Sequence, residues 1–407
     1  MSYFDVVPIV EQMLAVSQNI SDLNFSVGRP PQVEVDGVLV PVQIKGLRAL
    51  TPYQTEIIAL TLLAGNPEAV ETLVKAGAVD LAYSLPGRNR FRVNVFSQRG
   101  TYCIVMRLIP HAIPTLADLN LPPQLAEIAE LKNGFVLVTG PTGSGKSSTL
   151  AAIIDRINET KPYHVVTIED PIEYAHLHRR ATINQRELGS DTPSFARALR
   201  AALRQAPKVI LVGEIRDVET AEIAMEAAET GHLVLSTLHT IDAAHTVERF
   251  IGIFPKAQED TIRARLAQSF RYIISQRLLP RANGTGRIAA VEILKSTLRT
   301  RQYIEKGKGE EEGKSLVDAM NDGELEGMQS FDRTLEKMAR GGQISLQDAL
   351  AYSSNPGNLR LQIVDLLQAE AEGEGGATTW KELEAEAQAK NTSLQPALAT
   401  PQEWMET

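Results

Sequence analysis

Cysteine is nearly missing from this 407-residue chain: Cys103 stands alone in an apolar run, Cys103 to Val105. An internal disulfide is therefore excluded, a buried structural thiol is expected, and no zinc or redox role follows. A basic excess is missing too, since 41 Lys and Arg face 50 Asp and Glu for a net charge of −9. Most of that charge lies from Ala369 onward, where eight glutamates stand against Lys381 and Lys390; the remainder is only mildly acidic. Without a basic stripe, nucleic acid is not expected as the main partner, because such binding is dominated by phosphate neutralisation; only a local basic groove stays open. No apolar run approaches the roughly 20 residues that span a bilayer, and no basic segment followed by an apolar stretch opens the chain. The expectation is a cytoplasmic protein.

Aromatics are sparse as well. Both tryptophans, Trp380 and Trp404, fall in a stretch dominated by alanine, glutamate, glycine and threonine, and residues 367–407 are expected to form an acidic, disordered tail. A short partner-binding element there is the alternative. The rest has ample apolar content for two or three domains.

The first 109 residues read as a small α+β domain. Helical spacing from Phe4 to Val16 gives way to period two at Leu23, Phe25 and Val27, then to a hairpin over Gln32 to Val42 turning at Asp36-Gly37. Helices are predicted near Thr55 to Leu63 and Pro67 to Ala76, and strands at Leu81 to Ser84, Arg90 to Gln98 and Thr101 to Leu108. The proline-bearing stretch within 110–133 reads as a linker. Residues 134–366 form the second domain, with apolar strands at Phe135 to Val138, His164 to Ile168, Val209 to Val212 and Leu233 to Ser236. Helix-like stretches separate them, the pattern of an α/β fold with a parallel sheet. Further helices are predicted at Ala221 to Thr230, Phe331 to Ala339 and Ser345 to Ala351. Another is predicted at Asp260 to Leu279, where Ile262, Leu266, Phe270 and Ile274 recur every four residues as a core-facing stripe.

The chemistry is concentrated in this second domain. Gly140-Pro141-Thr142-Gly143-Ser144-Gly145-Lys146-Ser147, followed by Ser148, lies between an apolar strand and a helix-like stretch. This is a phosphate-binding loop: the glycines allow successive amides to face phosphate oxygens beside the positive end of the helix. Lys146 is expected at the β- and γ-phosphates of ATP, and the Ser147 hydroxyl at Mg²⁺. Hydrolysis also needs a group that orients or activates water. Glu214, after the strand Val209 to Val212, is that candidate, while Gly213 occupies the place where a magnesium-side aspartate usually sits. Metal support is then expected from Glu214 through water, or from the cluster Glu169-Asp170-Pro171-Ile172-Glu173, with Glu169 the first choice. His232 and His239 flank Leu233 to Leu238; the strand's alternation argues against a metal pair, and His239, past the strand end, is placed to sense the γ-phosphate. In the first domain Arg90, Arg92 and Asn94 share one strand face, which is either simply solvated or, in a ring, able to meet a neighbour's nucleotide.

Together these residues resemble the secretion-ATPase superfamily, and in particular the type IV pilus retraction (twitching motility) ATPases, the PilT family with its PilU-like relatives. The resemblance covers about residues 1 to 360. It runs through Ser21-Asp22-Leu23, Gly28-Arg29-Pro30-Pro31, Arg90-Phe91-Arg92-Val93-Asn94, Gln98-Arg99-Gly100 and the phosphate loop. Glu169 to Glu173 resembles the family's Asp box, Val212 to Asp217 its Walker B motif including the glycine, and Glu229 to His239 its His box. The resemblance implies a PAS-like N-terminal domain before a RecA-like ATPase domain. It also implies a homohexamer whose interfaces are completed by first-domain arginines, with His232 beside the nucleotide. Work on an inner-membrane platform protein is implied, with peripheral association at the cytoplasmic face of that membrane. Two departures stand out: Asn24 replaces a usual histidine, and Ser296 to Ile304 does not match the retraction signature Ala-Ile-Arg-Asn-Leu. An accessory PilU-like role is therefore an alternative, beside an extension or secretion ATPase, a nucleic-acid translocase and an assembly factor that uses nucleotide only as glue.

Overall fold

The computed structural model describes residues 5–17, 19–35, 37–85, 89–109, 112–307 and 315–373, the last five without their side chains. Asp36, most of the charged stretch at 305–314 and nearly all of the expected tail, with Trp380 and Trp404, lie outside the described residues. Two compact units result, one of residues 1–278 with 288–330 and the other of 279–287 with 331–407.

The first unit opens with an antiparallel sheet in the order β3-β2-β1-β6-β5-β4. Its strands are β1 (Ile20–Phe25), β2 (Gln32–Val35), β3 (Val38–Pro41), β4 (Ala78–Ser84), β5 (Arg90–Gln98) and β6 (Thr101–Ile109). Helices α1 (Val7–Leu14), α2 (Pro52–Leu62) and α3 (Pro67–Ala76) join the same core. Period-two patterning explains the arrangement: in β5, Phe91, Val93 and Val95 are buried with Phe25 and Ile104, while Arg90, Arg92 and Asn94 take the other face. Helix starts are well marked, since Thr51 and Gln54 form a reciprocal capping box before α2, and Asn66 caps α3 ahead of Pro67.

A seven-stranded sheet follows in the order β13-β12-β7-β11-β10-β8-β9. It comprises β7 (Gly134–Thr139), β8 (His164–Glu169), β9 (Thr182–Glu187), β10 (Val209–Val212), β11 (Leu233–Leu238), β12 (Phe270–Pro280) and β13 (Arg287–Lys295). From β12 to β9 every neighbouring pair is parallel. Strands β7, β10 and β11 are buried at every residue, as a sheet covered on both faces requires. Phe135 and Leu137 pack with α5 (Phe195–Ala202), α6 (Val218–Glu229), α7 (Ala243–Ile251) and α8 (Glu259–Ser269). Val136 and Val138 face α4 (Lys146–Thr160). Helices α9 (Leu298–Lys306) and α10 (Leu316–Asp322) complete this unit. The second unit holds α11 (Phe331–Arg340), α12 (Leu346–Ala351), α13 (Pro356–Gln362) and α14 (Val364–Gly373).

Three expectations are corrected. The helix predicted over Asp260 to Leu279 is α8 followed directly by β12, so Ile262 and Leu266 lie on a helix and Phe270 and Ile274 on a strand. An apolar repeat of four suits both periods when the segment is short, and tertiary pairing with β7 decides. The stretch expected to be a linker is in part core: residues 123–130 form a 3₁₀ helix whose Leu125, Ile128 and Ala129 are buried against α4 and the sheet. The tail expected from residue 367 is helical to Gly373 as part of α14.

Candidate nucleotide site

Parallel strands bring their carboxyl ends to one edge, and sheet order sets the distances between them. Along that edge Gln276 of β12, Gly140 after β7, His239 after β11, Glu214 after β10 and Glu169 and Glu187 at the ends of β8 and β9 succeed one another. With neighbouring strands about 4.8 Å apart, Glu214 starts roughly 10 Å from the phosphate-loop strand and Glu169 roughly 14 Å.

The loop itself is shaped by backbone demands. Gly140 has φ +145°, and a Cβ there would lie 2.4 Å from the Gln276 carbonyl and 2.5 Å from Ser144 Oγ, so no larger residue fits. Gly143 and Gly145 also have positive φ, at +78° and +91°. Gly145 caps α4 without a side-chain hydrogen bond, which leaves the first-turn amides of α4 without a side-chain acceptor. Ser144 Oγ is buried within the loop and has no hydrogen-bond partner. Lys146 is buried, and its Nζ donates to the carbonyls of Gly140 (2.9 Å) and Pro141 (3.0 Å). Thr142 and Pro141 are exposed at the loop's rim, and Ser147 and Ser148 are half-buried in the first helical turn. A partnerless hydroxyl, uncapped amides and a buried ammonium together fit the phosphates of a nucleotide.

Burial lowers the Lys146 pKa, opposed by the carboxylates of Glu214 and Glu173. Glu173, not Glu169, is thus the member of the acidic loop whose charge reaches the lysine. That loop folds back toward α4, as the 2.9 Å hydrogen bond between Tyr174 OH and Ser148 Oγ shows. Glu169 is turned into the sheet edge, where its Oε1 accepts from Thr167 Oγ1 (2.6 Å) and Gln185 Nε2 (3.0 Å), and burial raises its pKa. Glu214 is the opposite case. Burial pushes its pKa up, but Arg216 at 2.6 Å, His239 at 3.6 Å and Lys146 outweigh this and hold the carboxyl below its ordinary value. Gly213 before it needs to be small: a Cβ would meet the Ile168 carbonyl at 3.1 Å and Glu169 Cα at 3.3 Å.

The structure therefore gathers the loop residues Gly140 to Ser148 with Lys146, Glu214 and His239. His232 is not among them and is corrected. It precedes β11, whose first residue pairs with Gly134 at the start of β7, about 20 Å from the phosphate loop along the strand. Its Nδ1 lies 3.1 Å from the Ala227 carbonyl. Arg90 and Arg92 are apart from the loop as well: Arg90 donates to Glu187 (3.3 Å), and Arg92 sits 4.0 Å from Asp80. Among the described residues no three His, Cys, Asp or Glu side chains converge on a metal position. Ser147 with one carboxylate suits a magnesium ion that arrives with phosphates better than a resident metal. Arg216, Tyr174 and Gln276 received no role from the sequence; no spacing rule signals them, because each reaches the site through strand order or loop return.

Comparison with known proteins supplies the family. Residues 35–319 match the family described as Type II/IV secretion system protein. The type IV pilus retraction ATPase PilT of Pseudomonas aeruginosa is 39% identical over 351 residues, covering 86% of this chain and 99% of that protein. The type IV pilus ATPase PilU of the same organism is also 39% identical, over 350 residues, with coverage of 86% and 89%. The crystal structure of the pilus retraction motor PilT with bound ADP superposes with a TM-score of 0.76 at 41% identity, over 88% of this chain and 99% of that one. The chain belongs to the Type II/IV secretion system protein family and is an ATPase of its pilus-retraction kind.

Proposed function

We propose that the chain is an ATP-hydrolysing motor that powers type IV pilus retraction as a homohexamer, acting on a platform protein at the cytoplasmic face of the inner membrane. The observation that carries this reading is the convergence of Lys146, Glu214 and His239 on one sheet edge, in a chain that spans nearly all of a retraction ATPase. Among the described residues no helix is long and apolar enough to cross a membrane, consistent with a peripheral position.

Each residue then has a defined task. Loop amides from Gly143 to Ser147 and the Ser144 hydroxyl hold the β-phosphate, and Lys146 turns from its loop carbonyls toward the γ-phosphate. Glu214, kept ionised by Arg216, His239 and Lys146, accepts a hydrogen bond from the attacking water and orients it. His239, beside Glu214, reports whether the γ-phosphate is present. Ser147, with Glu214 through water or with Glu169, would hold Mg²⁺, which when bound neutralises charge on the phosphates. Arg90 and Arg92 lie on the polar face of β5 and lend guanidinium groups to the neighbour's site. Nucleotide favours the closed interface over the open one, so hydrolysis moves the seam.

A second reading, an accessory retraction ATPase, is favoured by the equal 39% identity to PilT and PilU. Complementing a deletion strain with wild type, Lys146→Ala and Glu214→Gln separates the possibilities. Surface pili that accumulate without twitching support retraction, and loss of pili indicates extension. Restoration of twitching by both variants refutes the motor, except that restoration only in the presence of a second retraction ATPase identifies the accessory role.

A further inference from the structure

Glu187, the last residue of β9, is the register partner of Glu169 and is nearly buried. One of its oxygens, Oε2, accepts two hydrogen bonds: from Arg90 Nη2 at 3.3 Å and from the backbone amide of Ile172 at 3.1 Å. Its own amide is held by Asp191 Oδ2 at 2.8 Å, so the carboxylate sits on an anchored strand end. A single oxygen thus joins the polar face of the antiparallel sheet to the loop that carries Glu169 and Glu173. Arg90 is under-used in this arrangement, because its Nε is buried without any partner. An arginine fork with an unmet buried donor has reason to exchange a single carboxylate contact for a bidentate anion.

We propose that Glu187 is a positioning residue that couples Arg90 to the acidic loop: while Arg90 is docked, Oε2 is shared, and when Arg90 leaves for a phosphate the loop is held by Glu187 alone. The physical basis is that a nearly buried carboxylate deprived of its guanidinium must draw more heavily on its remaining donor, the Ile172 amide. The two ends therefore respond to each other without any contact between Arg90 and Glu173. The proposal rests on the reading of Arg90 as an arginine lent to a neighbour, but its core, the coupling through Oε2, is testable without turnover.

The test is amide hydrogen exchange over residues 170–174 in the full-length protein, comparing wild type, Arg90→Ala, Glu187→Gln and the double variant. Glutamine keeps an acceptor for the Ile172 amide and removes the charge that holds Arg90. Each single substitution is expected to change exchange in this loop by about fivefold or more, with the double variant no different from Glu187→Gln. Exchange unaltered by Arg90→Ala, or effects that simply add, overturns the proposal. Thermal unfolding of the same proteins distinguishes a merely structural role, which would lower Tm in Glu187→Gln whether or not Arg90 is present. ATPase assays on the set separate the two levels. If Arg90→Ala impairs hydrolysis but leaves exchange unaltered, the lent arginine stands and the coupling falls; if exchange responds and hydrolysis does not, the coupling stands and the lent arginine falls.

Discussion

The two sheets of the first unit use their residues in different ways. In the parallel sheet both faces are covered, so side chains pointing up or down from β7, β10 and β11 only build core, and polar chemistry is confined to the strand ends. In the antiparallel sheet one face is left polar, and β5 presents Arg90, Arg92 and Asn94 from the middle of a strand. Position along the strand decides function in the first, and choice of face in the second. A substitution at a strand end of the parallel sheet should therefore act on chemistry within one chain, while one on the polar face of β5 should act on what the chain meets.

The strongest way to break this contrast is at the parallel edge. Lys146→Ala is expected to lower ATP hydrolysis by about a thousandfold or more and to weaken nucleotide binding. Glu214→Gln should lower hydrolysis by about a hundredfold or more while ATP binding persists. Steady-state turnover together with nucleotide titration measures both, and a Glu214→Gln protein that hydrolyses normally would remove Glu214 from the site.

Protonation separates the regions next. All seven histidines follow residue 109, so a histidine-linked loss of stability belongs to the second region. His176, between β8 and β9, has its pKa lowered to about 4 by burial, with Arg179 adding to the effect. Its folded-state pKa lies below the unfolded value, so the neutral form's contribution is present above about pH 6.5 and is lost as the pH falls toward 4. Urea unfolding at pH 7, 5 and 4 should show wild type losing about 3 kcal/mol more than His176→Leu across that window. Parallel curves for the two proteins would show that His176 is not the group responsible.

The polar face of β5 should give the smallest and most specific effects. Arg90→Ala is expected to slow hydrolysis about tenfold in the assembled protein and to leave nucleotide binding by diluted protein unchanged. Arg92 is half-exposed and 4.0 Å from Asp80, an arrangement of little weight for stability, and Arg92→Ala should slow turnover of the assembled protein in the same sense as Arg90→Ala, by about threefold. Comparing turnover across protein concentrations checks both. An equal effect of Arg90→Ala at all concentrations would place that arginine in its own chain's site.

Several features were legible because their causes are local. The phosphate loop, the capped starts of α2 and α3, and the alternation of β5 depend on residues within a few positions of one another. The limits of β5, β10 and α3 agree with the sequence pattern residue for residue. Strand β9, strand β13 and the switch from α8 to β12 were not read, since β9 carries Asn184, Gln185 and Arg186 and lacks a clean apolar run. The helix-like stripe through Phe270 and Ile274 was overruled by pairing with β7. The influence of Glu173 on Lys146 was hidden for a related reason: Glu169 and Glu173 follow the same strand, and only the return of the loop to Ser148 brings the charge of Glu173 to bear on the lysine.

Taken alone, the order of amino acids determined that a triphosphate loop exists, that a covered parallel sheet carries it, and that Glu214 and His239 follow strands of that sheet. Tertiary structure decided that β11 and β10 lie between β7 and β8, which brings Glu214 under the influence of Lys146 and hands the outer carboxylate, Glu187, to Arg90, while the parallel course of β11 beside β7 leaves His232 at the far end. Strand order is a property of contacts between segments far apart in the chain, and no local spacing encodes it.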